Sequence, residues 1–429
     1  MLKFTLSKGE EVTSELLDEQ MIRYVTPYSL PSKSFTEAYN EAMRQPIGCV
    51  SLSADKFNKP ALIFVDNTRK LSPFVPMLAN TLAEKGELKL ICACGTHKAP
   101  SKEHFKTALG EDYEKFRNSL HISTTREGYD YEPIGFTTRG TLVELNSELM
   151  DRDFIVSTLN VQPHYFAGFE GGCKALLPGC SSLKTILTNH GRAIGNPKAR
   201  ELAISGNDVR EDIDEVSSLL ERERRIRYRI LDFALNPDGS IAKAIYGKPP
   251  EAHVVLAEGY AMKIWAVEAE PARLVISVAE EPLGLNLYQA FKAASFAANL
   301  TVTGLMPKSK VIMLASLRDG AGGEAFVYEM ERYGRWKASE IMEDLKRRAE
   351  KGEITEASQK LNRLALDDRR ADFVIVSPNA STEVENLLSK TKYGFYRSLD
   401  EAIKDSPQEL LSNVAVIPQG AGTVPVPKT

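Results

Sequence analysis

Cysteine is scarce in this chain: Cys49, Cys92, Cys94, Cys173 and Cys180 are its five among 429 residues. An odd, thinly spread set is not a disulfide framework, and reduced thiols in a cytosol are expected. There is no pair of CxxC motifs for structural zinc. Cys92-Ala-Cys94 lies in an apolar run, where it should pack as a small hydrophobe. An excess of one charge is also missing. The 54 basic residues against 58 acidic leave a formal net charge of −4, which gives no field for gripping nucleic acid or an anionic membrane. No stretch reaches the roughly 18 uninterrupted apolar residues that span a bilayer. The segment Met1–Leu17 lacks the basic, apolar and small-residue regions of a signal peptide. The 28 glycines and 22 prolines are ordinary frequencies, so collagen-like and low-complexity classes are excluded. These absences predict a soluble, cytoplasmic protein and leave its function open.

What is present is an alternation of short apolar runs with amphipathic stretches. Ala61–Val65, Leu88–Cys92, Phe154–Thr158, Val254–Ala257, Leu274–Val278, Lys310–Ala315, Phe373–Ser377 and Val414–Ile417 read as strands buried on both faces. Ser34–Met43, Val75–Glu84, Asp208–Leu220, Leu287–Ala298 and Lys337–Lys351 carry helical period. Asn207 and Ser72-Pro73 are expected helix starts. The fold class is therefore α/β: two α/β domains with largely parallel sheets and an active-site cleft between them. The expected domains are 1–265, carrying the chemistry, and 266–429, with the turn-rich last residues crossing back over the first domain. The mixed-sign run Glu221–Arg229 reads as a solvated face.

Four segments look unlike scaffold, and ligands of open α/β sheets gather at the carboxyl ends of strands. Asp66-Asn67-Thr68-Arg69 follows the strand Ala61–Val65. It could hold a phosphate with Arg69 as a bidentate fork, or be an Asx turn with a surface arginine. Gly95-Thr96-His97 offers a histidine suited to acid–base work. The segment Gln162–Gly179 contains His164, Gly168, Gly171, Gly172 and Lys174. It is neither a Walker A loop nor G-x-G-x-x-G, because Cys173 and Ala175 flank the lysine. Thr188-Asn189-His190-Gly191 places a further histidine, a common metal ligand, sixteen residues beyond Lys174. His97, His164 and His190 have loop-like settings, whereas His104, His121 and His253 take the structural reading. The residues alone leave open a His₃ zinc metallohydrolase and a non-catalytic nucleotide- or sugar-acid-binding protein.

Together these motifs resemble the nickel-dependent lactate racemase family, over nearly the whole chain. They are Asp-x-Thr-Arg at 66–69, Gly-x-His at 95–97, His164 with Gly-Gly-x-Lys-x-x-x-Pro-Gly after it, and Asn-His at 189–190. Leu287-Tyr288-Gln289-x-x-Lys292, Arg318-Asp-Gly-x-Gly-Gly323 and Trp336 also match. The resemblance implies a racemase or epimerase of 2-hydroxy carboxylic acids. It would use a nickel-pincer nucleotide (pyridinium-3-thioamide-5-thiocarboxylic acid mononucleotide) supplied by cofactor-synthesis proteins. Lys174 would be joined to that cofactor covalently, and His190 would complete a square-planar nickel site. His97 and His164 would be the acid–base pair flanking the substrate. Asp66, Thr68 and Arg69, with Gly171 and Gly172, would hold the cofactor, and Arg69 would also help position substrate. Tyr288, Gln289 and Lys292 would close over the substrate, Lys292 facing its carboxylate, and Trp336 would line the cleft. Hydride transfer through a planar 2-oxo acid would avoid a poorly stabilised carbanion. Glu170 stands where the family's lactate enzymes carry a small hydroxyl residue. An extra carboxylate there would reject lactate or accept a polyol chain, so the substrate's side chain stays open, as does the oligomeric state.

Overall fold

The computed structural model describes residues 2–7, 9–17 and 19–428. Two compact units divide the chain, one from Ser29 to Ile264 and the other joining the chain up to Tyr28 with the chain from Trp265 onward.

The Ser29–Ile264 unit is built on a six-stranded sheet in the order Ile241–Gly247, Arg227–Leu235, Phe154–Ser157, Pro60–Val65, Lys89–Gly95, Leu120–Thr124. Only the pair Ile241–Gly247 and Arg227–Leu235 is antiparallel. Ala61, Leu62, Ile63 and Phe64 are wholly buried, as the near-continuous apolar runs require of strands covered on both faces. The helix Phe35–Arg44 starts on a Ser34–Glu37 capping box. In the helix Asp208–Arg224, the Asn207 side chain accepts from the Val209 and Arg210 amides, the start expected from the sequence. The other expected start shifts slightly. That helix runs Val75–Ala83, with Pro76 in its first turn, while Ser72 Oγ accepts from the Phe74 amide.

One expected strand is a helix. Val254–Ala257 falls in Glu251–Leu256 and the wider turn that continues it, Ala257–Ala261. Its buried residues, Ala252, His253, Leu256, Ala257 and Ala261, recur at helical spacing. A short apolar run does not by itself distinguish a strand from one buried stripe of a helix.

The second unit carries an all-parallel sheet in the order Gly394–Tyr396, Ala371–Val376, Ser309–Leu314, Leu274–Val278, Val414–Ile417, Ile22–Tyr24. Its core draws Leu2, Phe4, Leu6 and Val12 from the hairpin Leu2–Ser7 and Glu10–Ser14 into one cluster with Leu274, Ile276 and Val278. This apolar surface, with the edge strand Ile22–Tyr24, ties the first 28 residues to the unit opposite the one expected. The tail also differs from expectation. Val424–Pro427 pairs in parallel with Ala266–Ala269, so it stays within its own unit. Among the described residues, no helix is long and apolar enough to cross a membrane.

Candidate functional site

In the first sheet the chain passes from Pro60–Val65 outward through Lys89–Gly95 to Leu120–Thr124, then returns to place Phe154–Ser157 on the other side of Pro60–Val65. The strands Pro60–Val65 and Phe154–Ser157 therefore flank a topological switch point, where α/β sheets open a crevice. Asp66 and the segment from Gln162 follow these strands, and His97 follows the next one.

Asp66 is almost fully buried and makes a compact knot. Its Oδ2 lies 2.7 Å from His97 Nδ1, and its Oδ1 accepts from the Thr68 hydroxyl (2.6 Å) and amide (2.8 Å). Burial alone would raise the Asp66 pKa. The interaction with His97 and these hydrogen bonds outweigh it and hold the carboxyl below its ordinary value. An ionised carboxylate only accepts, so His97 Nδ1 carries the proton and Nε2 is the basic atom. Gly95, at φ +55°, frees the strand end, and the Thr124 hydroxyl anchors the His97 carbonyl at 2.6 Å.

The glycine-rich segment folds back on itself through the pairing of Pro163–His164 with Gly168–Phe169. His164 Nδ1 accepts from the amides of Ala167 (3.2 Å) and Phe166 (3.5 Å). A neutral His164 then carries its proton on Nε2, the tautomer opposite to that of His97.

Gly171 and Gly172 adopt φ +86° and +64° at the start of the turn Gly172–Ala175, which carries Lys174. The Lys174 ammonium is buried, 3.7 Å from Glu170 Oε2 and 5.7 Å from the centre of the Phe166 ring. Burial lowers its pKa to about 8. Glu170 opposes that shift, while Arg69 and Arg210 add to it. Arg69 Nε reaches the other Glu170 oxygen at 3.1 Å, so one carboxylate bridges two predicted site residues.

His190 is in the last turn of the helix Leu183–Gly191, rather than in the loop expected. The Ser182 side chain caps that helix by accepting from the Thr185 amide at 3.2 Å, and the helical run carries through Asn189 and His190. Asn189 gives its amide N–H to Asp212 (2.8 Å) and Val209 O (3.2 Å), which turns its oxygen toward His190 Nδ1 at 3.1 Å. That contact protonates Nδ1 and makes Nε2 the donor atom. Burial, reinforced by the Lys174 charge, depresses the His190 pKa to about 3, so the imidazole is neutral.

Asp66, Thr68, Arg69, His97, His164, Gly171, Gly172, Lys174 and His190 thus all lie in the Ser29–Ile264 unit. Phe166, unremarked in the sequence, joins three of them, its ring centre lying 4.5 Å from His164 and 4.9 Å from His190 as well as near Lys174. Its only sequence signal is an aromatic residue between His164 and Gly168. Glu170, singled out in the sequence as a departure from the family's small hydroxyl residue, lies between Arg69 and Lys174. His253, read as ordinary, packs under Gly171 and Gly172 through a contact far apart in sequence.

The remaining predicted residues belong to the other unit. Tyr288, Gln289 and Lys292 lie on the helix Leu287–Ala297, capped by Asn286, with Gln289 and Lys292 buried. Tyr288 packs edge-on against Phe326 and under Lys360 Nζ. Trp336 is 39% exposed and contacts the Tyr333 ring at 5.3 Å.

Residues 8–201 match the lactate racemase N-terminal domain family, and residues 267–425 match the lactate racemase C-terminal domain family. A lactate racemase of Thermoanaerobacterium thermosaccharolyticum is 29% identical over 66% of this chain and 66% of its own length, just under two thirds. A lactate racemase of Lactiplantibacillus plantarum is 28% identical over 68% of this chain and 69% of its own. The fold is similar to that of the T. thermosaccharolyticum lactate racemase apoprotein, with TM-score 0.83, 24% identity and 99% of each chain covered. A Thermotoga maritima protein gives TM-score 0.69 at 16% identity, with 94% of this chain and 100% of that one covered. With both family domains matched in order along most of its length, the chain belongs to the lactate racemase family of isomerases.

Proposed function

We propose that the protein inverts the α-carbon of a 2-hydroxy carboxylic acid, using a nickel-pincer nucleotide attached to Lys174. The observation that carries this reading is the gathering of Lys174, His164 and His190 around Phe166.

The donor set fits a group that brings most of its own ligands. His190 presents a neutral Nε2, and among the described residues no three His, Cys, Asp or Glu side chains are placed to hold a metal ion. A His₃ zinc site from His97, His164 and His190 has no support in this geometry, and the metallohydrolase alternative weakens with it. Lys174, with its pKa near 8, has an appreciable neutral fraction for covalent attachment. Asp66, Thr68, Arg69, Gly171 and Gly172 would hold the nucleotide beside it. When bound, the cofactor would accept and return a hydride.

The chain's own residues would handle the protons. His97, fixed by Asp66, offers Nε2 as base, and His164, fixed by the Ala167 amide, offers Nε2–H as acid. Removing a hydroxyl proton by one and returning a proton from the other suits inversion, and the roles exchange for the opposite stereoisomer. Arg69 would help orient the substrate carboxylate while Glu170 restrains its guanidinium. Tyr288, Gln289, Lys292 and Trp336 keep the substrate-binding roles implied by the resemblance.

The test is intact-mass and metal analysis of protein produced with the cofactor-synthesis enzymes. A two-sulfur adduct on Lys174 with one nickel per chain is expected. Stoichiometric zinc without an adduct would overturn the reading.

A further inference from the structure

We propose that Asp232 and His253, beneath the Gly171–Gly172 turn, are positioning residues that set the depth at which Lys174 is held. The proposal rests on the reading of Lys174 as the attachment residue. Asp232 is on the strand Arg227–Leu235 and His253 on the helix Glu251–Leu256, and both are completely buried.

The turn is pinned from below. The Gly172 amide donates to Asp232 Oδ2 at 2.6 Å, and the Gly172 carbonyl accepts from the Tyr228 hydroxyl at 3.0 Å. The Gly171 carbonyl accepts from Arg210 Nη1 at 3.2 Å. The other Asp232 oxygen accepts from the Leu159 amide at 2.9 Å, just past the strand Phe154–Ser157. One carboxylate thereby fixes the Lys174 turn to the strand end that opens the crevice. Burying a carboxylate is costly, and burial raises the Asp232 pKa to about 7 against the pull of the two amides and Arg210. Placing the carboxylate there makes physical sense if both amides must be held at once.

His253 acts through shape. Among the described residues, neither of its ring nitrogens has a hydrogen-bond partner, which is uncommon for a buried polar group. Its ring lies against the glycine backbones. A methyl group added at Gly172 would come within 2.9 Å of His253 Cγ and 2.5 Å of Arg210 Nη2, and one at Gly171 within 2.9 Å of Asp232 Oδ2. The two glycines are therefore required by this floor as well as by their positive φ.

The experiment uses the full-length, cofactor-free chain. Trace acetic anhydride labels amines from pH 6 to 11, and peptide mass spectrometry reads the labelling of Lys174. In the unmodified protein the midpoint should lie near 8. Asp232→Asn leaves one acceptor for two amides, and His253→Ala leaves a gap under the turn. In each, Lys174 should reach water and its midpoint should rise by about one pH unit or more, toward the ordinary 10.5. His253→Phe restores a flat ring and should keep the midpoint near 8. A lower Tm with an unmoved Lys174 midpoint in both Asp232→Asn and His253→Ala would overturn the proposal. If Asp232→Asn does not fold, the His253→Ala and His253→Phe pair decides alone. Absence of an adduct in the cofactor-loaded protein would sink the proposed function without changing this titration, so the two fail separately.

Discussion

At the scale of single residues, the site separates histidines by their hydrogen-bond partners. His97 is held by a carboxylate, His164 by an amide and His190 by a side-chain oxygen, all through Nδ1, so that Nε2 is bare in His97 and His190 and protonated in a neutral His164. If His97 and His164 are the acid–base pair, His97→Ala and His164→Ala should each lower the inversion rate by about 10²–10⁴-fold while the Lys174 adduct persists in the mass spectrum. Glu170 raises the Lys174 pKa against burial. Glu170→Gln should therefore shift Lys174 acetylation to lower pH in the cofactor-free protein, and an unchanged midpoint would contradict the ion pair. His190 gives a stability prediction with a definite sign. Its folded pKa is near 3 against an ordinary 6.5, so the unfolded chain takes up the proton first. Its contribution is present above pH 6.5 and is lost as pH falls toward 3. Thermal melts of the cofactor-free protein should fall less steeply between pH 6.5 and 4 in His190→Gln. The sequence motifs named candidate residues that the fold gathers in the Ser29–Ile264 unit, but not those that hold them. Asp232 and His253 meet the Lys174 turn only through packing, which no local spacing encodes.

At the scale of elements, Asn207 links a helix start to the site. Its oxygen caps Asp208–Arg224, while its amide donates to Phe166 O at 2.9 Å and Ala203 O at 3.0 Å. Asn207→Ala removes the cap and leaves a buried carbonyl unsatisfied. It should cost about 2 kcal/mol in denaturant unfolding, more than an exposed cap would. The capping role was legible from Asn207 followed by an amphipathic run. Its second role, supporting the Phe166 loop, was not, because Phe166 and Asn207 are 41 residues apart. The same division explains the errors. Long periodic helices and β-branched strands form as their patterns predict, whereas Val254–Ala257 is too short to distinguish a strand from a helix stripe, and the helix carrying His190 starts at the Ser182 cap, outside the Thr188–Gly191 segment.

At the scale of the molecule, the unit division makes a falsifiable statement about the N-terminal hairpin. Leu2, Phe4, Leu6 and Val12 share a core with Leu274, Ile276 and Leu314. Removing residues 1–14 should raise amide hydrogen exchange in the strands Leu274–Val278 and Val414–Ile417, and leave Pro60–Val65 and Lys89–Gly95 protected. Equal loss in both sheets would contradict the assignment. Strand–helix alternation pointed to two largely parallel α/β sheets, but not to the return of the N-terminus to the second. That pairing joins Ile22–Tyr24 to Val414–Ile417 across almost the whole chain. The chemistry itself is tested most directly with cofactor-loaded protein and an α-deuterated 2-hydroxy acid in ordinary water. Inversion with the deuterium kept at the α-carbon, together with slowed turnover, is the predicted result; rapid exchange of that deuterium into solvent would contradict hydride transfer and point to proton abstraction.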